Sequence, residues 1–269
     1  KQVTDFRLEF SKVSQSISSA RTTTDWSDIY RKLVSWQMKL MDSSDASVKQ
    51  IFDMLLAEAN SEFAKFVKNN YANWFNPQHQ DKPLLSPALL RNKVFPIIDS
   101  GQPVLMILID NLRYDQWKAI EPLLTSVWRV ETDETYYGIL PSATQYARNA
   151  IFSGLMPLEI QKNYPNLWVF DEEDEGKNMF EQELLNAQLQ RLGKNYKTFY
   201  EKSNTLKSGQ KIVDNLKEIL KNNLTVLVYN FVDMMSHART DSDMMKELAA
   251  DESAYLSLTR SWFQHSDLK

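Results

Sequence analysis

The sequence predicts an α/β protein in which an N-terminal three-helix bundle precedes a mostly parallel sheet flanked by helices. Two observations lead to this fold class. Over residues 1–76 the apolar side chains recur at spacings of three and four, which is the period of amphipathic helices. Beyond them, continuous apolar runs typical of strands buried in a parallel sheet alternate with further helical patterns. Because 43% of the 269 residues are hydrophobic, both parts can form packed cores.

Three helices joined by short polar turns are predicted for residues 1–76, and they most simply form an antiparallel bundle. Thr24 is a plausible N-cap of the second helix. The apolar stripes are Val3, Phe6, Phe10, Val13 and Ile17 in the first helix, Trp26, Ile29, Leu33, Trp36 and Leu40 in the second, and Val48, Phe52, Leu55, Ala59, Phe63 and Phe66 in the third. The aromatic residues are interpreted as core, because their period matches burial and no polar cluster accompanies them.

Residues 77–95 are predicted to be a linker, and residues 96–269 to form the α/β domain. The strongest strand predictions are residues 104–109 and 224–232, and weaker ones are residues 127–130 and 196–200. Helices are predicted over residues 114–124, 142–152, 179–192, 209–222 and 244–263. Strands that alternate with helices in this way favour an open, mostly parallel sheet.

The composition excludes several classes of function. With a formal net charge of −4, the chain offers no extended basic surface for a nucleic-acid backbone. The absence of cysteine excludes disulfides and thiol catalysis, so metal ligands would have to be Asp, Glu, His or hydroxyl groups. No apolar run approaches the roughly 20 residues that a membrane-spanning helix needs, and we expect a cytoplasmic protein.

Two aspartates directly follow the strongest predicted strands: Asp110 after residues 104–109, and Asp233 after residues 224–232. Ligands of open α/β sheets bind beyond the carboxyl ends of the strands, so both acids are placed to face a site, although each could equally cap the following turn. His237 follows Asp233 by four residues, which brings the two side chains onto one face of a helical turn. Such a pair suits a zinc or manganese ion, and a surface ion pair is the alternative.

A loop with two hydroxyl groups leads into the helix predicted over residues 142–152. Ser142 and Thr144 lie where the first amides of that helix could receive a phosphate group. The alternative is simple N-capping by either hydroxyl. The helix is predicted to end at Gly154, which directly follows Ser153.

Together these motifs resemble the ordered motifs of the alkaline-phosphatase superfamily. They are Asp110 after its strand, Pro141-Ser-Ala-Thr144 followed by Ser153-Gly154-x-x-Pro157, and Asp233-x-x-x-His237. The residues around them are similar to the PglZ domains of PorX-type response regulators, in which a receiver domain and a helical bundle precede the PglZ domain. The resemblance spans residues 104–237 and implies an alkaline-phosphatase-like α/β fold.

The resemblance also implies a two-metal site. Thr144 would be the nucleophile and would share one ion with Asp110, while Asp233 and His237 would hold the second ion. Zn²⁺ is the implied cofactor, with Mn²⁺ as the alternative. Arg148 and Asn111 are candidate substrate-binding residues. Arg113 is a further candidate. Either arginine could equally be a solvated helix charge, and for Arg113 that is the simpler interpretation.

The function implied by the resemblance is that of a metal-dependent phosphodiesterase or phosphatase domain in a two-component response regulator linked to type IX secretion. The substrate would be a nucleotide-type phosphodiester, and the full-length protein would be a homodimer. The alternative is a non-catalytic signalling scaffold that binds a transcriptional partner such as a sigma factor.

The sequence departs from the superfamily pattern near its C-terminus. The superfamily brings a further Asp-His pair and one more His from later strands. Here the remaining candidates are His265 and Asp267, which are interpreted as surface residues, as is His79. We therefore expect the α/β domain to be incomplete at its C-terminus, and this chain alone to hydrolyse nothing appreciable.

Overall fold

The computed structural model describes residues 2–170, 176–203, 206–266 and 268, without the side chains of residues 2–8 and 206–208. The predicted stripe positions Val3 and Phe6 fall among those side chains, and Asp267 lies outside the described residues. The chain divides into two compact units. The first consists of Lys1–Pro83, Arg113–Glu131 and Ser242–Trp262, and the second of Leu84–Leu112, Thr132–Asp241 and Phe263–Lys269.

Helices and strands are numbered in chain order. The helices are α1 (Gln2–Ser19), α2 (Thr23–Leu40), α3 (Ala46–Asn70), α4 (Phe95–Asp99), α5 (Tyr114–Leu124), α6 (Thr144–Ser153), α7 (Pro157–Asn163), α8 (Glu181–Arg191), α9 (Leu206–Asp214), α10 (Leu216–Ile219), α11 (Phe231–Asp241), α12 (Asp243–Leu248) and α13 (Glu252–His265). The strands are β1 (Val104–Ile109), β2 (Thr198–Ser203) and β3 (Leu224–Tyr229). Short helical turns lie at Tyr71–Phe75, Ser86–Ala88, Leu90–Val94 and Pro165–Leu167.

The first unit contains the predicted three-helix bundle, which is confirmed. Helices α1, α2 and α3 pack on one another through a core that the predicted stripes supply. The buried members of that core are Val13, Ile17, Ala20, Trp26, Ile29, Leu33, Leu40, Val48, Phe52, Leu55 and Ala59. Trp36 and Phe66 are partly buried against it, so their aromatic rings are structural.

The N-cap of α2 differs from the prediction, because Thr22 and not Thr24 occupies it. The Thr22 hydroxyl accepts a hydrogen bond from the Asp25 amide at 3.1 Å, and the Asp25 carboxylate accepts one from the Thr22 amide at 2.8 Å. This reciprocal pair is a capping box. The register is decided by the acid three residues after Thr22, since Thr24 has no such partner at the same spacing.

Breaking this capping box should cost a measurable part of the stability of the bundle. Thr22→Ala is expected to lower the free energy of unfolding by about 1 kcal/mol, the usual effect of losing an N-cap hydroxyl. The measurement is urea unfolding followed by circular dichroism. Asp28→Ala, which removes an exposed carboxylate of the same helix, is the matched control, and an equal loss in both variants would contradict the capping role.

The same cap should also make stability depend on pH. Hydrogen bonds from the amides of Arg21 and Thr22 lower the pKa of Asp25 below its ordinary value of 3.8. A carboxyl group whose pKa is lowered on folding stabilises the folded state at pH values above its ordinary pKa. That stabilisation is lost as the pH falls through the lowered pKa. The stability difference between the natural chain and Asp25→Ala should therefore be constant at neutral pH and shrink below about pH 4.

The second unit is built on a parallel sheet with strand order β1-β3-β2, which confirms the predicted α/β class. The register pairs Val104 and Thr198 with Leu224 at one end, and Ile109 and Ser203 with Tyr229 at the other. All six residues of β3 are buried, as expected for the central strand. Helices α6 and α8 pack on each other, and their apolar residues share a core with the sheet.

Three strand predictions need correction. The strand predicted over residues 196–200 is β2, which lies at Thr198–Ser203. Residues 127–130 form no strand; Val127 and Trp128 are exposed, and no described strand lies beside them to complete a ladder. The run predicted over residues 224–232 is strand only to Tyr229, because α11 begins at Phe231. A short apolar run fits a buried strand and a buried helical turn equally well, so Val232 is buried in α11 instead.

The helix predictions of the α/β domain are close to the structure. Helix α5 has the predicted bounds, and α6 ends at Gly154, whose positive φ of 66° forms a left-handed cap. The helix predicted over residues 209–222 is interrupted at Asn215 into α9 and α10, and the one over residues 244–263 is divided into α12 and α13. The predicted boundaries at residues 76 and 95 stay predictions. Within the described ranges, no helix is both long enough and apolar enough to cross a membrane.

Candidate active site

The carboxyl edge of the sheet gathers polar residues from all three strands. Asp110 directly follows β1, Asn230 directly follows β3, and Ser203 is the last residue of β2. The Asp110 amide donates to the carbonyl oxygen of Tyr229 at 2.9 Å, which extends the ladder by one residue. Because the strands are parallel, these side chains share one edge, which is where open α/β sheets bind ligands.

Arg148 of α6 reaches this edge and joins it to α8. Its Nη1 donates to Asp110 Oδ2 at 2.9 Å and to Asn230 Oδ1 at 3.1 Å. Its Nε and Nη2 donate to the two carboxylate oxygens of Glu181 at 2.7 and 2.6 Å. The guanidinium therefore holds a bidentate ion pair with Glu181 and a single hydrogen bond with each strand end.

Glu181, the first residue of α8, is the centre of this network, and it is not among the site residues predicted from the sequence. It is fully buried, at 0% exposure. Besides Arg148, its Oε2 accepts a hydrogen bond from the Tyr200 hydroxyl at 2.5 Å and lies 3.2 Å from Lys202 Nζ. One signal could have found it: Glu181 precedes Leu184, Leu185 and Gln188 by three, four and seven residues, so it stands on the buried stripe of its helix.

Burial and charge set the protonation of this network. Burial alone would lower the pKa of the Arg148 guanidinium, but the charges and hydrogen bonds of Glu181 and Asp110 raise it, so Arg148 stays charged. Burial raises the pKa of Asp110, the charges of Asp233 and Glu181 raise it further, and Arg148 opposes them. Burial, followed by the charge of Glu181, raises the pKa of Tyr200.

Thr144 is the first residue of α6, one helical turn before Arg148, so both residues lie on the same face. The N-cap position is held by Ala143 without a side-chain hydrogen bond, so neither Ser142 nor Thr144 serves as the predicted cap. Within the described part of the chain, the Thr144 hydroxyl makes no hydrogen bond. Its carbonyl oxygen accepts a hydrogen bond from Asn178 Nδ2 at 3.3 Å.

Asp233 and His237 lie on α11, separated by one turn. His237 Nε2 is 3.6 Å from Asp233 Oδ2, and the side chains are 73% and 26% exposed. The prediction that they share a face is met, and the alternative of a surface ion pair stays open. The charge of Asp233 is one of the influences that raise the pKa of Asp110.

The other predicted candidates differ in their surroundings. Asn111 is exposed directly after Asp110 and has a positive φ of 57°, a conformation that asparagine tolerates. Arg113 belongs to the first unit, where it pairs with Asp115 and Glu252 at 2.7 and 2.5 Å. His265 is exposed as expected, whereas His79 is half-buried in a turn.

The donor types of the predicted site residues suit a divalent cation, but these residues are not drawn together into a complete cluster. Among the described residues, no three His, Asp or Glu side chains form a group that could hold a metal ion. The single hydrogen bond of the Asp110 side chain uses Oδ2, so within the described part of the chain Oδ1 is free to bind. Carboxylate, imidazole and hydroxyl donors are appropriate to Zn²⁺ or Mn²⁺.

Comparison with known proteins adds two matches. Residues 89–264 match a family model described as the BREX system PglZ alkaline phosphatase-like domain. Residues 1–75 match a family model described as the PorX response regulator linker domain. Among curated proteins, no sequence matches this chain. The first match includes the whole carboxyl edge of the sheet and helices α6, α8 and α11.

Proposed function

The chain belongs to the PglZ family of alkaline phosphatase-like domains, and from this premise we propose that it is the metal-dependent phosphohydrolase domain of a PorX-type response regulator. The proposed substrate class is a nucleotide-type phosphodiester, and the proposed nucleophile is the hydroxyl of Thr144. The alkaline phosphatase superfamily commonly uses metal ions, and Zn²⁺ is the proposed cofactor, with Mn²⁺ as the alternative.

One observation carries the proposal. The Thr144 hydroxyl does not cap its helix, and it lies one helical turn before Arg148, which donates a hydrogen bond to Asp110. Arg148 of the same helix contacts Asp110 at the end of β1, which supports a site that includes both Thr144 and Asp110. Helix N-termini favour anions, so the first amides of α6 would favour a phosphate group near the Thr144 hydroxyl.

Each residue then has a proposed role. Asp110 Oδ1 and Thr144 Oγ1 would hold one cation, and Asp233 with His237 would hold the second. When bound, such cations lower the pKa of the attacking hydroxyl and neutralise charge on the phosphoryl group. Asn111, exposed beside Asp110, is the proposed contact to the substrate.

Metal uptake is the primary test, because it does not require a complete set of catalytic groups. We expect the chain to bind Zn²⁺ in isothermal titration calorimetry, and expect Asp110→Asn and Asp233→Ala each to weaken that binding by about tenfold or more. Ser142→Ala, which alters an exposed hydroxyl of the same loop, is the matched control and should bind Zn²⁺ as the natural chain does. Zn²⁺ uptake that neither acid affects would refute the proposed site.

Hydrolysis assays distinguish a phosphodiester substrate from a phosphomonoester. The metal-loaded chain is incubated with bis-p-nitrophenyl phosphate and with the monoester, and Thr144→Ala serves as the nucleophile control. Turnover that Thr144→Ala abolishes would support the proposed nucleophile, and turnover that this substitution leaves unchanged would contradict it. A preference for the diester would support the substrate class.

The remaining parts of the proposal come from the resemblance to PorX-type regulators. They are a link to type IX secretion, a homodimer in the full-length protein, a transcriptional partner such as a sigma factor, and a cytoplasmic location. Failure to bind any divalent metal would favour the alternative function, a signalling scaffold that keeps the phosphatase fold and acts by binding that partner.

A further inference from the structure

We propose that Glu181 and Arg148 are positioning residues for Asp110: Glu181 fixes the guanidinium of Arg148, which in turn holds one oxygen of the Asp110 carboxylate and leaves the other free to bind a cation. This inference rests on the proposed function, in which Asp110 is a metal ligand. It gives Arg148 a different task from the substrate contact suggested by the sequence.

The engagement of Arg148 is the first argument. The side chain is 5% exposed, and its Nε, Nη1 and Nη2 all donate to acceptors within the unit. To reach a phosphate group, the guanidinium would have to give up a bidentate ion pair with a fully buried carboxylate. Such a separation is costly, because it leaves a charged group in a water-poor environment.

The anchoring of Glu181 is the second argument. Its carboxylate also accepts a hydrogen bond from the Tyr200 hydroxyl at 2.5 Å and lies 3.2 Å from Lys202 Nζ, so two residues of β2 help to hold it in place. Asn178 Nδ2 lies 3.4 Å from Glu181 Oε1 and also donates to the carbonyl oxygen of Thr144. The same network therefore reaches both Asp110 and the first residue of α6.

The geometry at Asp110 is the third argument. Arg148 Nη1 binds Asp110 Oδ2 and Asn230 Oδ1 together, which ties the ends of β1 and β3 through a single donor. Because one oxygen of the Asp110 carboxylate is held, the side chain is restricted to one rotamer before a cation binds. A cation at Oδ1 therefore does not have to fix the side chain itself. The negative charge of Glu181 offsets the positive charge of Arg148, which would otherwise repel that cation.

The test uses Co²⁺ as a spectroscopic probe of the proposed Zn²⁺ site, with affinities taken from titrations of the visible absorption bands of Co²⁺. We expect Glu181→Gln and Arg148→Lys each to weaken Co²⁺ binding by about tenfold, the usual effect of changing a group that orients a ligand. Tyr200→Phe removes one hydrogen bond to Glu181 and keeps the ring contact with Phe152, so it should weaken binding in the same direction but less.

Arg113→Met is the matched control. It removes a guanidinium that pairs with two carboxylates, Asp115 and Glu252, in the first unit. A purely structural role would lower stability in Arg148→Lys and Arg113→Met alike and leave Co²⁺ affinity unchanged in both. The positioning role predicts loss of affinity in Arg148→Lys alone, with the circular dichroism spectrum retained.

The outcomes separate this inference from the proposed function. If the natural chain binds no Co²⁺, or if Asp110→Asn binds it unchanged, the proposed function and the positioning role both fail. If Asp110→Asn abolishes binding while Glu181→Gln and Arg148→Lys bind like the natural chain, only the positioning role fails. Should those two variants not fold, Tyr200→Phe decides, and an unchanged affinity in it would overturn the inference.

Discussion

Glu181→Ala is expected to lower the free energy of unfolding by about 3–5 kcal/mol, because removing one partner of a buried ion pair leaves the other charged and unpaired. Arg148 would lose both hydrogen bonds of its bidentate contact and keep only those to Asp110 and Asn230. The Tyr200 hydroxyl and Lys202 would lose an acceptor at the same time. With five donors affected at one site, Asn178 Nδ2 included, we expect this loss to be the largest of any polar substitution in the second unit.

Urea unfolding followed by circular dichroism measures this loss, and a double variant identifies its cause. Arg148→Met combined with Glu181→Leu replaces both charges by apolar side chains, so its loss should be smaller than the sum of the two single losses. Additive losses would contradict the pairing. Glu252→Ala is the matched control: its ion pair with Arg113 is more than a third exposed on both sides, so about 1 kcal/mol or less is expected.

Much of the fold could be predicted because burial leaves a local pattern. The runs that became β1 and β3 contain almost nothing but apolar residues, and a central parallel strand requires that of its sequence. Gly154 marked the end of α6 because the left-handed cap favours a residue without a Cβ atom. Asp110 could be located from the sequence because a polar residue that directly follows an apolar run marks the end of a buried strand.

The position of Asp233 was harder to predict, because local apolar content does not distinguish the last residues of a strand from the first turn of a helix. Phe231 and Val232 continue the apolar run of β3 but belong to α11, so Asn230 and not Asp233 is the residue at the strand end. The pairing of His237 with Asp233 survived this change, because it depends only on a spacing of four.

Glu181 could not be predicted from local pattern, because its burial depends on partners that are distant in sequence. Arg148 lies 33 positions before Glu181, whereas Tyr200 and Lys202 lie 19 and 21 positions after it. A glutamate at the start of a helix ordinarily reads as an exposed group that favours the helix dipole. Glu181 becomes the centre of a buried charge network only because α6, α8 and β2 pack together in the fold. The same packing is the reason that Arg148 is now proposed to position Asp110 and not to contact the substrate.

Gly154→Ala is expected to destabilise the second unit by two separate effects. The first is backbone strain of about 1–2 kcal/mol, since Gly154 has a φ of 66° and a Cβ atom is unfavourable in the left-handed region. The second is a collision: an added Cβ would lie 2.1 Å from Gln188 Nε2 and 2.8 Å from Gln188 Cδ. Gln188 is 1% exposed, so its side chain cannot turn into solvent, and overpacking of this kind adds about 1–3 kcal/mol.

Gly193→Ala separates the two effects within the same protein. Gly193 has a nearly equal φ of 65°, but an added Cβ would have nothing within 4 Å, so this variant should show the backbone strain alone. Both unfolding free energies come from urea titrations, and Gly154→Ala should lose more by the amount of the collision. Combining Gly154→Ala with Gln188→Ala removes the obstructing side chain, so the double variant should lose less than the two single variants together. Equal losses in Gly154→Ala and Gly193→Ala would mean that α6 and α8 can move apart at this point, and that the close packing which presents Arg148 to Glu181 is not rigid.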